Sequence, residues 1–158
     1  MKWYIGPIDP YIDDIKTLFA QNHNHKHADN YLKWPLFEYT KFARLAWDDG
    51  KLIYYSAGIE RPEYDGSIRI MSRHTRCRNY DFGGWRADLN RGLQTLEEST
   101  KYAIELGYSE IWISREEGPE LLYYFQKHSS YDWEVEQEML PGETHVQWVM
   151  RYGEPLVW

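Results

Sequence analysis

One segment in the middle of the chain constrains the fold more than any other. Residues 84–107 read GWRADLNRGLQTLEESTKYAIELG, and apolar or small side chains recur there at intervals of three and four: Leu89, Leu93, Leu96, Thr100 and Ala103. This spacing predicts an amphipathic helix, and Gly107 is placed to end it as a C-cap. The apolar run SEIWIS that follows predicts a buried strand, so the pair is typical of a crossover unit in a sheet.

Length and composition limit the class of protein. The 158 residues suit one domain, spanning residues 1–158, and the hydrophobic fraction of 42% is enough for a single core. The net charge of −7 argues against general nucleic-acid binding. A lone cysteine, Cys77, and an N-terminus without the apolar run of a signal peptide favour a cytoplasmic protein, and no apolar stretch is long enough to cross a membrane.

The remaining segments predict a mixed sheet. MKWYIG is strand-like, and DPYIDDIKTLFAQN predicts a helix with Asp9 as N-cap and Pro10 in the first turn. ADNYLKWPLFEYTKFARLAWDDG predicts a second helix, whose stripe is Leu36, Tyr39, Ala43 and Trp47. Two hairpins, one turning at EYDGS and one at PGET, and a short helix from Pro119 complete the order. We therefore expect an α/β (α+β) domain whose mixed, mostly antiparallel sheet has helices on both faces.

Two other features bear on chemistry: a histidine-rich loop and an arginine-rich segment. His23, His25 and His27 alternate in a polar loop without a carboxylate or cysteine at ligand spacing, so a solvated loop is favoured over a metal site. Residues 69–91 hold six arginines against two aspartates, whereas residues 97–138 are strongly acidic. Such a local basic patch on an acidic protein suits a discrete anionic ligand.

The element order and two motifs resemble the GNAT superfamily of acyl-coenzyme A N-acyltransferases. LQTLEESTKYAIELGYSEIWIS resembles the family's third helix and the strand after it, and LLYYFQKHSSYDW resembles its LYEKxGF helix and the following strand. The resemblance implies a divergent member of the GNAT fold that holds acetyl-coenzyme A between two splayed central strands and acetylates a primary amine.

The family's cofactor signature, Arg-x-x-Gly-x-Gly/Ala, aligns with ADLNRG when counted back from Gly107. Ala87 then stands at the arginine position, Asn90 at the first glycine and Gly92 at the second. The resemblance implies that the amides of a turn before a helix over residues 92–106 hold the pyrophosphate, with cofactor contacts from Arg73, Arg78, Arg86, Asn90, Arg91 and Gly92. The alternative is that Asn90 simply caps the helix.

The catalytic candidates are also carried by the resemblance. The tyrosine that protonates the leaving thiolate in many family members aligns with Phe125, and its neighbour Tyr124 is the candidate acid. Base candidates are Glu116 and Glu117 after the SEIWIS strand, Glu60 at the end of an earlier strand and His74; of these, Glu116 is the candidate base.

Two functions remain open at this stage. The first is an acetyl-coenzyme A-dependent N-acetyltransferase acting on a small-molecule or peptide amine. The second is a GNAT-fold binding or structural module without activity, whose aromatic residues serve a protein–protein surface or a homo-oligomer. Nucleic acid and membranes are not expected as partners.

Overall fold

The computed structural model describes residues 1–21, 36–71, 75–77, 79–140 and 143–153. Within these residues strands and helices alternate along the chain in the manner of a mixed α/β domain. The strands are β1 (Lys2–Gly6), β2 (Thr40–Asp48), β3 (Lys51–Ile59), β4 (Ile68–Ile70), β5 (Thr75–Arg76), β6 (Glu110–Arg115), β7 (Glu134–Met139) and β8 (Val146–Gly153). The helices are α1 (Ile12–Gln21), α2 (Leu36–Tyr39), α3 (Trp85–Glu105) and α4 (Glu120–His128).

The sheet has the strand order β1-β2-β3-β4-β6-β8-β7, and β5 pairs with β3 beside β4. Every described pairing is antiparallel except β4 with β6, which is parallel. A parallel pair needs a crossover, and α3 lies between those two strands in the chain. The predicted fold class, a mixed and mostly antiparallel sheet, is confirmed.

Helices cover both faces of this sheet. On β3 the hydroxyl of Tyr54 is 2.7 Å from Oγ1 of Thr95 in α3, whereas the ring of Tyr55 packs on Phe19 of α1 with centroids 5.1 Å apart. Because neighbouring residues of a strand point to opposite faces, α1 and α3 lie on opposite sides. The sequence also predicts one apolar face for α1, formed by Ile12, Ile15, Leu18 and Phe19, and the last three of these are buried.

The prediction of a helix over the segment ending at Asp49 was wrong. Only Leu36–Tyr39 is helical, and Thr40–Asp48 forms β2 between β1 and β3. The five residues 42–46 are buried on both faces of the sheet. Because both faces of β2 are buried, its sequence lacks the apolar–polar alternation that predicts a strand, and Ala43 and Trp47 fit a helical spacing only by coincidence.

Both predicted hairpins are present. In the first, β3 pairs with β4 at Gly58↔Ile70 and Ile59↔Arg69, and the turn between them contains Asp65 with a φ of 54°. The second joins β7 and β8 from Glu134↔Arg151 to Met139↔Val146. In the described residues, no helix combines the length and apolar character needed to cross a bilayer.

Candidate functional site

The two parallel strands at the centre of the sheet diverge toward their carboxyl ends. β4 and β6 pair only at Ile68↔Ile111 and Arg69↔Trp112. Beyond this point β6 continues to Arg115 and stays paired with β8, whereas the chain after β4 stays with β3: the amide of Met71 donates to the carbonyl of Ala57 at 3.0 Å. In the described part of the chain, the β4-facing edge of β6 from 113 to 115 therefore has no pairing strand.

Helix α3 begins earlier than the sequence suggested. It starts at Trp85, behind Gly83 with a φ of 86° and Gly84 in an extended conformation, and the amide of Asp88 donates to the carbonyl of Gly84 at 3.1 Å. Asp88 is thus the first residue whose amide closes a helical turn. The amides of residues 85–87 precede it and have no acceptor within the helix, and among the described residues no other acceptor is found for them.

The expected pyrophosphate turn at 87–92 is therefore corrected. Asn90, Arg91 and Gly92 lie in the second turn of α3, where backbone amides are used by the helix itself. The physical reason is that Asn90 and Gly92 are tolerated in a helix whose buried stripe supplies the stability. The Gly83–Gly84 pair was the sequence signal for the true helix start, and it was missed.

Arg91 and Arg86, the two described arginines expected to contact the cofactor, lie in different environments. Arg91 is held by Asp88 at 2.7 Å and donates to the carbonyl of Phe82 at 2.6 Å, so it fastens the preceding loop to α3. Arg76 approaches the same carboxylate at 2.8 Å. Arg86 is exposed, and its guanidinium lies 5.3 Å from the ring centroid of Trp85, whose side chain is 68% exposed. Arg73 and Arg78, like His23, His25, His27 and His74, lie outside the described residues.

The arginine pair perturbs Asp88. Partial burial raises the pKa of the Asp88 carboxyl, but hydrogen bonds from Arg76 and Arg91 outweigh it and hold that pKa below its ordinary value. The carboxylate in the first turn of α3 is therefore neutralised by two guanidinium groups. Because its charge is balanced in this way, the Asp88 carboxylate does little to offset the positive end of the helix dipole.

The catalytic candidates lie on either side of the loop between β6 and α4. Tyr124 is half-buried on α4, with its ring 4.5 Å from that of His128, whereas Phe125 is buried in the core beneath it. Glu116 follows β6 and is exposed, and its Oε1 lies 2.9 Å from Nε2 of His145. Among the described residues no contact joins Tyr124 to Glu116.

Glu116 belongs to a small exposed cluster that the sequence did not reveal. Glu116, Glu143 and His145 each place a potential ligand atom within 4.8 Å of the others. The two partners come from the β7–β8 hairpin, 27 and 29 residues further along the chain, so no local spacing signals them. Glu60, by contrast, accepts a hydrogen bond from Tyr108 at 2.6 Å at the amino-terminal ends of β4 and β6, away from the divergence.

A buried polar network fixes α3 to the sheet, and it too was missed. Arg44 of β2 is 2% exposed; its Nε lies 2.9 Å from Glu98 and its Nη1 donates to Thr95 at 2.7 Å. Its guanidinium also stacks 3.8 Å from the ring centroid of Trp3. Burial raises the pKa of Tyr54, which shares Thr95, to about 12. The network sets the position of α3 relative to the central strands.

The comparison with solved structures defines the class of fold. An acyl-CoA N-acyltransferase from Pseudomonas aeruginosa superposes with a TM-score of 0.61 at 15% identity, covering 97% of this chain and 100% of its own. A ribosomal-protein-alanine N-acetyltransferase from Brucella melitensis gives 0.60 at 13% identity, covering 98% and 100%. The PaiA N-acetyltransferase from Thermoplasma acidophilum, crystallised with coenzyme A, gives 0.56 at 11% identity, again covering 98% and 100%.

The chain therefore has the fold of these N-acyltransferases. More specifically, it has the fold of the GNAT acyl-coenzyme A N-acyltransferases, in a divergent sequence. No protein-family profile matches the sequence, and no curated protein is significantly similar to it.

Proposed function

We propose that this protein is a GNAT-type N-acetyltransferase that moves an acetyl group from acetyl-coenzyme A to a primary amine. The observation that carries the proposal is the combination of the β4–β6 divergence with the start of α3. Pairing stops after Arg69↔Trp112, and three first-turn amides of the helix that follows β4 are left without a protein acceptor in the described chain.

The start of α3 fits a diphosphate. Unpaired amides at a helix N-terminus, together with the helix dipole, bind phosphate oxygens. The space in front of this end of the helix is open, since a Cβ added at Gly84 would meet no atom within 4 Å. Arg86 is the exposed cation in the same turn. In this proposal the amides of residues 85–87 and Arg86 replace the role first expected of Asn90, Arg91 and Gly92.

Acetyl-coenzyme A, when bound, supplies the thioester that serves as acyl donor. The unpaired edge of β6 offers backbone groups to an extended pantetheine arm, in the way a strand edge pairs with an added strand. Glu116, at the carboxyl end of β6, is the proposed base that takes a proton from the amine through water. Tyr124 is the proposed acid that protonates the thiolate.

One observation favours the second function, an inactive GNAT-fold module. Phe125 occupies the position where many family members have the acidic tyrosine, and it is 4% exposed in the core. The inactive module is the correct reading only if the hydroxyl of Tyr124, one position earlier on α4, does not reach the opening between β4 and β6.

Thermal unfolding with and without acetyl-coenzyme A tests the proposal. A ligand that binds only the folded state raises the melting temperature, and we expect a rise that is reduced in Arg86→Gln. Arg61→Gln is the matched control, because Arg61 is paired with Glu63 in the turn before β4. Stabilisation by acetyl-coenzyme A without release of free thiol in the presence of any amine would favour the inactive module. No stabilisation at all would refute both cofactor binding and the enzyme.

A further inference from the structure

Arg69 differs from the other described arginines in its charge environment. The arginines that form ion pairs are Arg44, Arg61, Arg76, Arg91, Arg115 and Arg151. Arg86 is exposed to solvent, but Arg69 is half-buried and no carboxylate of the described residues pairs with it. Its partners are neutral: Nη2 donates to Oγ of Ser114 at 3.0 Å and Nη1 to the hydroxyl of Tyr64 at 3.5 Å.

A partly desolvated cation without a counterion is costly. The guanidinium of Arg69 lies 5.4 Å from the ring centroid of Trp112, which compensates only part of that cost. An anionic ligand would supply the missing charge, and the planar guanidinium matches the geometry of a carboxylate or phosphate. The arrangement therefore indicates an oxyanion site.

The position of Arg69 connects this site with the divergent strands. Arg69 belongs to the last β4–β6 pair, and Ser114 lies two residues further on, where β6 has separated from β4. The Arg69–Ser114 hydrogen bond thus crosses the opening itself. Ile68 and Ile70 pack in the core that includes Leu96 of α3, so Arg69, between them in the strand, points to the opposite face.

The neighbouring charges leave Arg69 as the uncompensated group. Arg151 stacks on Trp112 as well, at 5.3 Å, but Glu138 lies 2.7 Å and Glu110 2.5 Å from its guanidinium. Burial lowers the pKa of Arg151, yet these two carboxylates outweigh it and raise the pKa above its ordinary value. Tyr64 packs edge-on against Trp112, with ring centroids 4.9 Å apart.

We propose that Arg69, with the hydroxyls of Ser114 and Tyr64, binds an oxyanion of the acceptor, so that the acceptor is an amine that also carries a carboxylate or a phosphate. This inference rests on the proposed function, because a donor held from the α3 side leaves the Arg69 face for the acceptor. A guanidinium fork binds such groups through two parallel hydrogen bonds. Both hydroxyls, which now accept from Arg69, can donate to the incoming oxygen atoms.

Matched amines test the proposal. The panel pairs glycine, β-alanine and 4-aminobutyrate with their carboxamides, and 2-aminoethyl phosphate with ethanolamine. Each compound is assayed by release of coenzyme A thiol from acetyl-coenzyme A and, separately, by its effect on the melting temperature without cofactor. For at least one pair we expect the anionic member to have a KM lower by about tenfold or more, and to stabilise the protein where the neutral member does not.

The variants connect the preference to Arg69. Arg69→Gln is expected to bring the KM ratio of that pair close to one and to abolish the stabilisation, and Arg69→Lys to keep part of both. Arg61→Gln is the matched control, because Arg61 lies in the turn before β4 and is paired with Glu63. If Arg69→Gln does not fold, Arg69→Lys and Ser114→Ala decide, since both retain the charge and should weaken the preference.

The outcomes separate this proposal from the proposed function. Acetylation of amines without any preference for the anionic members overturns the oxyanion site but leaves the acetyltransferase intact. Stabilisation by an anionic amine that depends on Arg69, in a protein that neither binds nor uses acetyl-coenzyme A, supports the oxyanion site and refutes the enzyme. Absence of both the KM preference and the stabilisation overturns the oxyanion site whatever the protein's activity.

Discussion

Nε of Arg44 lies 2.9 Å from Oε2 of Glu98, and this contact joins β2, a strand buried on both faces, to the helix that shapes the site. The same guanidinium donates to Thr95 one turn earlier on α3. A cation that is 2% exposed is stable there only because a charge, a hydroxyl and the Trp3 ring together replace its water. The position of α3, and with it the proposed cofactor site, depends on this network.

Replacing Arg44 should therefore destabilise the whole domain. Arg44→Met removes two hydrogen bonds of a charged group, and we expect the free energy of unfolding to fall by about 1.5–3 kcal/mol. Urea denaturation measures it. Arg61→Met, which removes an exposed pair, should change the value by less than about 1 kcal/mol. Equal midpoints for the two variants would show that the Arg44 network contributes little to stability.

Asn90 distinguishes a helix interior from a phosphate-binding turn. Because Asn90 is exposed in the second turn of α3, Asn90→Ala should stabilise the protein by about 0.5 kcal/mol and Asn90→Gly should destabilise it slightly. Neither variant should alter the stabilisation by acetyl-coenzyme A. A turn at this position would give the reverse order, with glycine the better residue and cofactor binding improved.

Asp88 should contribute stability that is lost in acid. Its folded pKa is lowered, so the contribution is complete above the unfolded pKa of about 3.9 and disappears as the pH falls through the folded value. Melting temperatures of the wild type and Asp88→Asn should therefore differ most at neutral pH and converge below roughly pH 4. A difference that stays constant across this range would mean that the pKa of Asp88 is the same in both states.

Replacing Tyr124 tests whether this residue acts as the general acid. If it protonates the leaving thiolate, Tyr124→Phe should lower kcat by about 100-fold or more while leaving the KM for acetyl-coenzyme A unchanged. Tyr123→Phe is the control, because Tyr123 is the exposed neighbour on the same helix, 47% accessible. Full activity in Tyr124→Phe would remove this residue from the mechanism.

Replacing Phe125 tests whether position 125, rather than 124, faces the reacting groups. Phe125→Tyr restores the family's residue at this position but places a hydroxyl in the core around Leu122 and Trp133. We expect a loss of stability of about 1–3 kcal/mol and no gain in kcat, measured by urea denaturation and thiol release. A faster enzyme would show that position 125, rather than 124, faces the reacting groups.

Much of the fold could be predicted from local patterns. The α3 stripe ending before Gly107, the α1 face of Ile15, Leu18 and Phe19, and both hairpins are properties of short segments with clear periodicity or turn residues. The GNAT fold was expected because the element order and two motifs resemble that superfamily, and the comparison of folds supports it although residues 40–48 form a strand rather than a helix.

The candidate site was less accessible from the sequence. Its cofactor residues were placed by counting along a motif, and the helix start shifted seven residues upstream, from position 92 to Trp85, once the helix could be seen. The partners that matter most, such as Ser114 for Arg69 and His145 for Glu116, are 45 and 29 residues away in the chain. No periodicity records such separations.

The sequence by itself determined which segments have an apolar face and where turns interrupt them, because both depend on residues within one or two helical turns. Only the tertiary structure decided that residues 40–48 form a strand, since pairing with β1 and β3 and burial on both faces outweighed a helical spacing. It alone also placed a half-buried Arg69 across the opening between β4 and β6. Charge balance in a folded protein is a property of neighbours in space, and the chain order does not contain it.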